Sequence, residues 1–412
     1  MKDSAGIPDA TGAAGGSPEP PRDRRRRLLR WTAAGVSLLV LASAGAGWWL
    51  YRKLDANITE DTSAASELER FERERPTAIA GGSQNILLIG SDSRAGADNS
   101  RYGRDGGGQR SDTVILLHLP ADRRSATAVS IPRDLMTDVP SCLTADGSRT
   151  AAQFVQFNWA FQWGGAACTI RTVEKLTGIR IDHHMVMDFG GFKKMVNAVG
   201  GVEVCLKQPM NDTEARLHLP AGRQTLRGEQ ALGFVRARYG QGDGSDTERM
   251  DRQQQFLGSL VKKVQSNGVL LNPGRLYPLL DAATSSVTTD AGLASLRGLY
   301  ELVRGMRDIP TEQVKFLTVP RRPYAANRNR DELVQPDAAR LFQRLRADAP
   351  LTVAPPTEAD GRKADGREAD GREPDGVRAG AGSAEPSPTG TGTAPTPVPT
   401  FTGTTAGMTG CR

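Results

Sequence analysis

The chain has 412 residues, with 53 Lys and Arg against 47 Asp and Glu and a formal net charge of +6. This length allows one large domain or two ordinary ones with appendages. The basic excess does not predict nucleic-acid binding, because much of it lies in arginines between residues 22 and 30, and aromatic residues, which would stack on bases, make up only 5% of the chain.

The N-terminal segment predicts a membrane anchor. Residues 1–30 form a basic tail, and its first part, rich in Gly, Pro, Ala and Ser, is expected to be disordered. Residues 31–51 carry no charge and have Trp or Tyr at both ends, which is typical of a bilayer-spanning helix. The positive-inside rule then puts the tail in the cytoplasm and everything after Tyr51 outside. The alternative is a cleaved signal peptide, since Ala42-Ser43-Ala44 resembles a cleavage site.

The composition divides the rest of the chain into three parts. Residues 52–80 carry Leu68 and Phe71 among many charges, which predicts a solvated extracytoplasmic stalk. Residues 81–349 are expected to form the folded domain, with its motifs between residues 85 and 266. Residues 350–412 contain a five-residue charged repeat and a Thr-, Pro- and Gly-rich end, so we expect a disordered tail.

Four cysteines lie beyond the predicted anchor, in an oxidising space where they can pair. We predict a Cys142–Cys168 disulfide, since Cys142 follows a turn at a strand end and Cys168 precedes a predicted helix. Cys205 lies in the strand-like residues 202–206 and could be a buried free thiol. The state of Cys411 stays open.

Three short stretches rich in Leu and β-branched residues, 85–94, 110–119 and 126–134, predict buried strands with charged residues at one or both ends. Charged residues stand where these runs begin or end, and α/β sheets keep their sites beyond strand ends. These residues are Asp92, Arg94, Arg110, Asp112, Arg133 and Asp134.

A helix predicted over residues 249–266 has an unusual face. Its apolar stripe, at helical spacing, extends backward onto Arg249, Arg252 and Gln253. A face that buries apolar residues at one end therefore carries guanidinium and amide groups at the other, which favours a functional role. The alternative is a frayed end with Arg252 paired to Asp251 or Glu248.

The ring-rich segment 153–170, which contains Asn158, is expected to be core.

Several arginines facing few carboxylates in one cleft would repel one another unless an anion joined them. Arg forks match phosphate oxygens, and carboxylates beside a diphosphate suggest Mg²⁺ or Mn²⁺. The chemistry indicated is phosphoryl transfer, in which a carboxylate can take the acceptor proton. The alternative is a set of structural ion pairs. The arginines in question are Arg110, Arg133, Arg236, Arg238, Arg249 and Arg252.

Seven ordered blocks resemble the LytR-CpsA-Psr family, in an actinobacterial-like form. The resemblance covers roughly residues 81–270 and is carried by residues 85–92, 110–113 (RSDT), 130–134 (SIPRD), 200–202 (GGV), 226–232 (LRGEQAL), 236–238 (RAR) and the spaced set 246, 249 and 252–254. It implies an α/β fold with a mixed central β-sheet sandwiched between helices, on a single transmembrane helix. It also implies a membrane-anchored extracytoplasmic phosphotransferase. The enzyme would move an anionic glycopolymer from a polyprenyl diphosphate carrier to peptidoglycan hydroxyls, leaving a phosphodiester.

The resemblance also implies residue roles. The six arginines would hold the diphosphate with support from Asn158 and Gln253, and Asp92 and Asp112 would hold Mg²⁺. Asp134 would handle the acceptor proton or orient Arg133. An apolar tunnel for the polyprenyl chain could be lined by Met195, Val199, Phe234 and Phe256, unless these residues are core.

Two departures from the family pattern are Glu248, where a small residue is usual, and Gln156-Phe157 ahead of Asn158, where a basic residue is usual. Both could shift substrate preference. Two other functions stay open: a lipid diphosphatase that uses water as acceptor, and a wall-binding protein without catalysis.

Overall fold

The computed structural model describes residues 22–79, 81–92, 110–237, 246–266, 273–355 and 398–409, and it divides into two compact units, Met1–Lys53 and Leu54–Arg412. The first unit contains most of α1 (Arg22–Ala56). Its stretch Arg26–Ala56 is long and apolar enough to cross a membrane. An apolar helix is thus present where the sequence predicts the anchor, and it fits single-pass membrane attachment.

The second unit is a mixed α/β domain. Its helices are α2 Thr62–Arg70, α3 Asn158–Thr177, α4 Phe189–Ala198, α5 Gly228–Arg236, α6 Asp246–Ser266, α7 Pro273–Thr284, α8 Leu296–Met306 and α9 Asp337–Arg346. Its strands are β1 Thr59–Glu60, β2 Gln84–Ser91, β3 Ser111–Leu119, β4 Ala126–Ile131, β5 Met136–Val139, β6 Gln153–Gln156, β7 His183–Met187, β8 Val202–Leu206, β9 Met210–Asp212, β10 Leu217–Leu219, β11 Gly222–Leu226, β12 Val287–Thr289, β13 Val314–Thr318, β14 Arg321–Tyr324, β15 Asn327–Leu333, β16 Thr352–Ala354 and β17 Thr400–Thr405.

A nine-stranded mixed sheet, in the order β1-β12-β7-β2-β3-β4-β13-β17-β16, forms the centre of this domain. Successive residues of its strands face opposite layers, as the pleat requires. Leu87 and Ile89 belong to the apolar cluster shared with α3 and α9. Ile86 and Leu88 belong to the cluster on the other side, which includes residues of α6 and α8. Helices therefore cover both faces, which confirms the predicted fold class.

A second apolar layer flanks the sheet. It is built from α4, α5 and the paired strands β8 and β11, with Phe256 of α6 buried among them. Residues 208–219 contain the β9–β10 hairpin, and Met210 and Leu217 pack into the same cluster.

The segment predicted to be a solvated stalk is part of the folded domain. Strand β1 pairs with β12, and helix α2 packs on α3 with Ala64 and Glu67 buried. The charges that suggested solvation form ion pairs with residues of the folded domain: Glu67 lies 2.7 Å from Arg149, and Arg75 lies 2.8 Å from Glu174. Ionic partners distant in sequence thus compensate the charges, and the prediction of a separate stalk is wrong.

The described cysteines are all oxidised. Cys142 and Cys168 form a disulfide with their Cα atoms 5.5 Å apart, which links the segment after β5 to α3. Cys205 on β8 is also disulfide-bonded, so the free-thiol interpretation is wrong. A strand position next to apolar residues does not by itself distinguish a thiol from half of a disulfide. Cys411 lies outside the described residues.

Part of the predicted disordered tail is a strand of the central sheet. Strand β17 lies between β13 and β16, and the short helix that follows it, Ala406–Met408, packs on α6. The strands approach so closely that a Cβ at Gly403 would collide with the carbonyl oxygen of Phe316. Buried Leu351 and Phe401 anchor β16 and β17 in the main cluster. The disorder prediction is therefore wrong for these two strands, while residues 356–397 lie outside the described part.

We predict that Phe401→Ala lowers the free energy of unfolding by about 3 kcal/mol, because the ring leaves a cavity between the C-terminal strands and the main core. Thr402→Ala, on the exposed face of the same strand, is the control and should change stability by about 0.5 kcal/mol or less. Thermal or urea unfolding of the full chain measures both. Equal effects would show that β17 does not anchor the domain.

An ion pair at the start of β7 gives a pH prediction. The Nδ1 atom of His183 lies 2.9 Å from Asp290, and this hydrogen bond raises the pKa of His183 above its ordinary 6.5. A raised pKa in the folded state stabilises the protein below the unfolded pKa, and this stabilisation is lost as pH rises through the folded pKa. His183→Gln should therefore lower the melting temperature more at about pH 5.5 than at about pH 8.5. An equal loss at both values would exclude the charged pair.

Candidate active site

Three neighbouring strands bring charged residues to one edge of the sheet. Strand β3 pairs antiparallel with both β2 and β4, with Ser91 opposite Ser111 and Val114 opposite Ile131. The end of β2, the start of β3 and the end of β4 therefore adjoin. This register places together five of the six residues predicted to stand at strand ends, Asp92, Arg110, Asp112, Arg133 and Asp134, while Arg94 lies outside the described residues.

The β2–β3 pair ends in an irregularity between Gly90 and Ser91. Beyond it the two strands are joined by reciprocal hydrogen bonds. The backbone N–H of Arg110 donates to Oδ1 of Asp92 at 2.6 Å, and the N–H of Asp92 donates to the carbonyl of Arg110 at 2.9 Å. The backbone at Arg110, two residues before Asp112 in the chain, thus holds the Asp92 carboxylate.

Arg133 connects two carboxylates. Its Nη1 donates to Oδ1 of Asp112 at 3.0 Å, and its Nε donates to Oδ2 of Asp134 at 3.2 Å. The guanidinium is 18% exposed and the carboxylates 28% and 18%, so the trio is partly accessible. The trio is an ion-pair cluster, and it also holds the Arg133 cation in a fixed position beside two carboxylates.

The other oxygen of Asp134 has two further donors, neither assigned to the site from the sequence. Nε2 of Gln156 lies 2.6 Å from Oδ1, and Nη1 of Arg330 lies 3.3 Å from it. The β14–β15 hairpin supplies Arg330, since Leu135 and Asp331 form a backbone bridge. Because Gln156 departs from the family pattern, the sequence contains a signal for its contact with Asp134. The β14–β15 hairpin lacks the apolar alternation that predicts strands, so the sequence contains no signal for the contact of Arg330.

Helix α6 is fixed to the same edge through Gln254. Its Nε2 donates to the hydroxyl of Ser130 at 3.2 Å and to that of Thr318 at 2.9 Å, at the ends of β4 and β13. Gln253 donates to the carbonyl of Val235 at 3.0 Å, and Arg252 to that of Ala237. These bonds bring the first turns of α6 to the ends of the strands and of α5.

The arginines of α6 are buried, as the face analysis predicts. Arg249 is 5% and Arg252 is 7% exposed. Burial lowers the pKa of Arg252, and the nearest carboxylate oxygen, on Glu248, is 3.9 Å from its Nη1. The Nε atom of Arg252 has no hydrogen-bond partner among the described residues. Burying a guanidinium is costly unless it is paired, so this position favours an anion.

Two more predicted residues lie at this edge. The guanidinium of Arg236 stacks 4.4 Å from the centroid of the Phe189 ring, just beyond the end of β7. Asn158 begins α3, where its N–H donates to the carbonyl of Arg133 at 3.0 Å. Its buried Oδ1 has no hydrogen-bond partner among the described residues. Arg238 lies outside the described residues.

Asp92 and Asp112 are the pair that could hold a metal ion. Among the described residues there is no group of three or more His, Cys, Asp or Glu suited to a metal. Mg²⁺ at phosphate sites uses one or two carboxylates and takes its other ligands from phosphate and water. The hard oxygen donors of this pair fit that mode of binding and do not fit an all-protein cage.

Three of the four residues considered for an apolar tunnel are packed together, while Met195 is half-buried outside their cluster. Val199, Phe234 and Phe256 are almost completely buried in one cluster, and the rings of Phe234 and Phe256 lie 6.3 Å apart. This packing favours the core interpretation for these side chains.

The ring-rich segment is only partly core. Phe157 and Phe161 are buried, but Phe154 is 52% and Trp159 is 40% exposed. The prediction of core is wrong for these two residues, since β6 and the first turn of α3 lie at the surface beside Asp134.

Comparison with known proteins places this geometry in context. The chain is 40% identical to the probable cell wall biosynthesis protein LcpB of Corynebacterium glutamicum over 235 residues and 33% identical to LcpA of the same organism over 319 residues. These alignments cover 56% and 71% of this chain but only 54% and 60% of the relatives, so the chain spans little more than half of their length.

Bacillus subtilis TagV, a polyisoprenyl-teichoic acid–peptidoglycan teichoic acid transferase, is 27% identical over 312 residues, or 74% of each chain. Its crystal structure superposes with a TM-score of 0.51 at 23% identity, and the match covers 66% of this chain and all of that one, which shows a shared fold. The LytR_cpsA_psr family profile matches residues 54–347, more than half of the chain. The chain therefore belongs to the LytR-CpsA-Psr family.

Proposed function

We propose that this protein is a membrane-anchored phosphotransferase. It moves an anionic glycopolymer from a polyprenyl diphosphate carrier to a hydroxyl of peptidoglycan, and its N-terminus is cytoplasmic with the α/β domain outside. The observation that carries the proposal is the convergence of Arg133, Arg236, Arg249 and Arg252 with three carboxylates at one sheet edge. Family membership and the transferase names of relatives such as TagV support it.

The arginines suit a diphosphate. A guanidinium presents N–H donors in a planar fork that matches phosphate oxygens, and the attraction is strong where water is excluded. Arg249 and Arg252 would approach the donor from α6, and Arg110 and Arg133 from the strand ends. An anion at this position would compensate the burial of Arg252, whose Nε has no hydrogen-bond partner among the described residues.

Asp134 is the proposed base. A carboxylate offers about four lone-pair positions, and three are used by Arg133, Gln156 and Arg330. The remaining position could accept the proton of the acceptor hydroxyl. The hydroxyl oxygen attacks the phosphorus that carries the glycopolymer, and the bond from that phosphorus to the bridging oxygen breaks. The products are a glycopolymer–peptidoglycan phosphodiester, polyprenyl monophosphate and a proton released through Asp134.

Asp92 and Asp112 are the proposed ligands of Mg²⁺. A bound Mg²⁺ would supply positive charge that offsets the charge of the diphosphate. The chain's own contribution is positioning: the backbone of Arg110 orients Asp92, and Arg133 orients Asp112.

We expect Arg133→Ala to reduce transfer by about 10²-fold or more, because it removes a preorganised cation at the reacting phosphate. The assay combines the full chain in detergent micelles with a polyprenyl-diphosphate oligosaccharide, soluble peptidoglycan fragments and Mg²⁺, and mass spectrometry identifies the products. The control is Arg340→Ala, which removes an exposed pair with Asp337 on α9.

A phosphodiester adduct that disappears in Arg133→Ala, with the melting temperature nearly unchanged, would support the transferase. Lipid monophosphate and saccharide phosphate without an adduct would indicate a diphosphatase. Bound but unreacted lipid would indicate a binding protein. If Arg133→Ala unfolded the protein, the cluster would be structural.

We expect Asp112→Asn to raise the Mg²⁺ concentration needed for half-maximal transfer by about tenfold, because it replaces a charged ligand with a neutral one. Binding of the lipid donor should change little. Mn²⁺ binding followed by electron paramagnetic resonance tests the site without turnover. Asp122→Asn, in the turn between β3 and β4, is the matched control, and identical metal titrations for both variants would refute the assignment.

A further inference from the structure

We call Arg133, Arg236, Arg249 and Arg252 the arginine cluster. A small aromatic pocket lies next to Asp134 and outside this cluster. It is a cavity of about 170 Å³ between the β5–β6 hairpin, the first turn of α3 and the β14–β15 hairpin. Its walls combine three rings with three polar side chains: Phe154, Trp159, Tyr324, Gln156, Asn327 and Arg330. We call these six residues the aromatic pocket.

The exposure of its rings is unusual for this domain. Beyond α1, the large aromatic side chains that are at least 36% exposed in the described residues are Phe154, Trp159 and Tyr300, and two of these three meet in this pocket. Single exposed apolar residues are common, but several gathered in a concave site indicate binding. Exposure of these rings to water costs free energy, and a ligand that covered them would remove that cost.

Neighbouring rings hold the aromatic side chains in place. Phe154 and Tyr324 approach from opposite hairpins, with centroids 6.2 Å apart and planes tilted by 59°. Trp159 rests edge-on against Trp163, with centroids 5.4 Å apart. Because these contacts are made within the protein itself, the rings are positioned before any ligand arrives, and little ordering entropy is lost on binding.

This lining matches the chemistry of a sugar ring. A pyranose has apolar C–H faces that stack on aromatic rings and a rim of hydroxyl groups that bond amides and guanidinium groups. The pocket supplies both, with rings on its walls and Gln156, Asn327 and Arg330 as donors and acceptors. Its volume is below the roughly 300–1,000 Å³ of pockets that enclose a drug-sized ligand, so it suits one ring of a longer chain.

The position of the pocket indicates which sugar would bind. Arg133 contacts Oδ2 of Asp134, while Gln156 and Arg330, two residues of the pocket, contact Oδ1. The carboxylate therefore stands between the arginine cluster, where the diphosphate would lie, and the pocket. A saccharide that enters from the pocket side brings its hydroxyl groups to the carboxylate proposed to take their proton.

We propose that the aromatic pocket binds a pyranose ring of the acceptor glycan and thereby presents the acceptor hydroxyl to Asp134. This proposal rests on the proposed function, because it assigns the acceptor half of that reaction. A sugar of the donor glycopolymer has the same chemistry. Steady-state kinetics with each substrate varied separately distinguishes a donor sugar from an acceptor sugar.

The first measurement is direct binding without a donor. A β-1,4-linked trimer of N-acetylglucosamine is titrated into the full-length protein in detergent micelles and followed by saturation-transfer NMR. Tyr324→Ala should weaken binding by about tenfold, the size expected for losing one aromatic contact. Phe154→Ala, on the facing hairpin, should do the same, so that a local folding defect in one hairpin does not decide the result. Tyr300→Ala removes an exposed tyrosine on α8 and is the matched control.

The second measurement is steady-state transfer with each substrate varied. Tyr324→Ala should raise KM for the peptidoglycan fragment by about tenfold and leave KM for the lipid donor unchanged. A rise confined to the donor KM would overturn the acceptor assignment. Trimer binding that is equal in the parent and in both pocket variants would overturn the site itself.

The two proposals fail in different ways. Transfer that is abolished by Arg133→Ala but insensitive to Tyr324→Ala and Phe154→Ala would retain the transferase and refute the pocket. Pocket-dependent trimer binding in a protein that makes no adduct would refute the transferase and retain a sugar-binding pocket without its acceptor role.

Discussion

The antiparallel pairing of β3 with both β2 and β4 is the constraint on which the candidate site depends. A shift of one residue in either pairing would turn alternate side chains to the other face, so it would separate Asp112 from Arg133 and remove Leu116 from the core at the same time. The apolar residues that fix the register inside the sheet therefore also fix the charges at its edge. Stability and site geometry are set by one set of hydrogen bonds.

The candidate site contains buried charges, whose desolvation is unfavourable, at positions where apolar packing in the same helix can offset that cost. Buried Arg249 and Arg252 begin a helix whose later turns pack through Phe256 and Leu257 into two apolar clusters. Apolar burial by one end of α6 can thus offset the cost of desolvating the guanidinium groups at the other. Gln254, bonded to both Ser130 and Thr318, fixes where along the sheet these charges lie.

Local pattern made part of this structure predictable. The β2, β3 and β4 strands and the α6 face follow from short apolar runs and helical spacing, and the charged strand ends follow from them. Contacts between distant segments were not visible in the sequence. Residues 327–333 are strongly polar, yet they pair with β14 and deliver Arg330 to Asp134. The charges of residues 55–75 resemble a solvated stalk until their partners, such as Arg149 and Glu174, are known. Phe401 is one ring in a Thr- and Gly-rich segment, and its burial depends on a gap between β13 and β16 that only the assembled sheet contains.

The location of β17 has a consequence for how the domain is made. Among the described residues, β16 is joined to the sheet through β17, which comes later in the chain than both of its neighbours, β13 and β16. During synthesis, the edge of β13 that pairs with β17 stays open until residues 400–405 have been made. Such an edge is a template for pairing with other chains. The order of the strands therefore leaves β13 without this neighbour until β17 has been made, and a chain interrupted before β17 would present an unprotected strand.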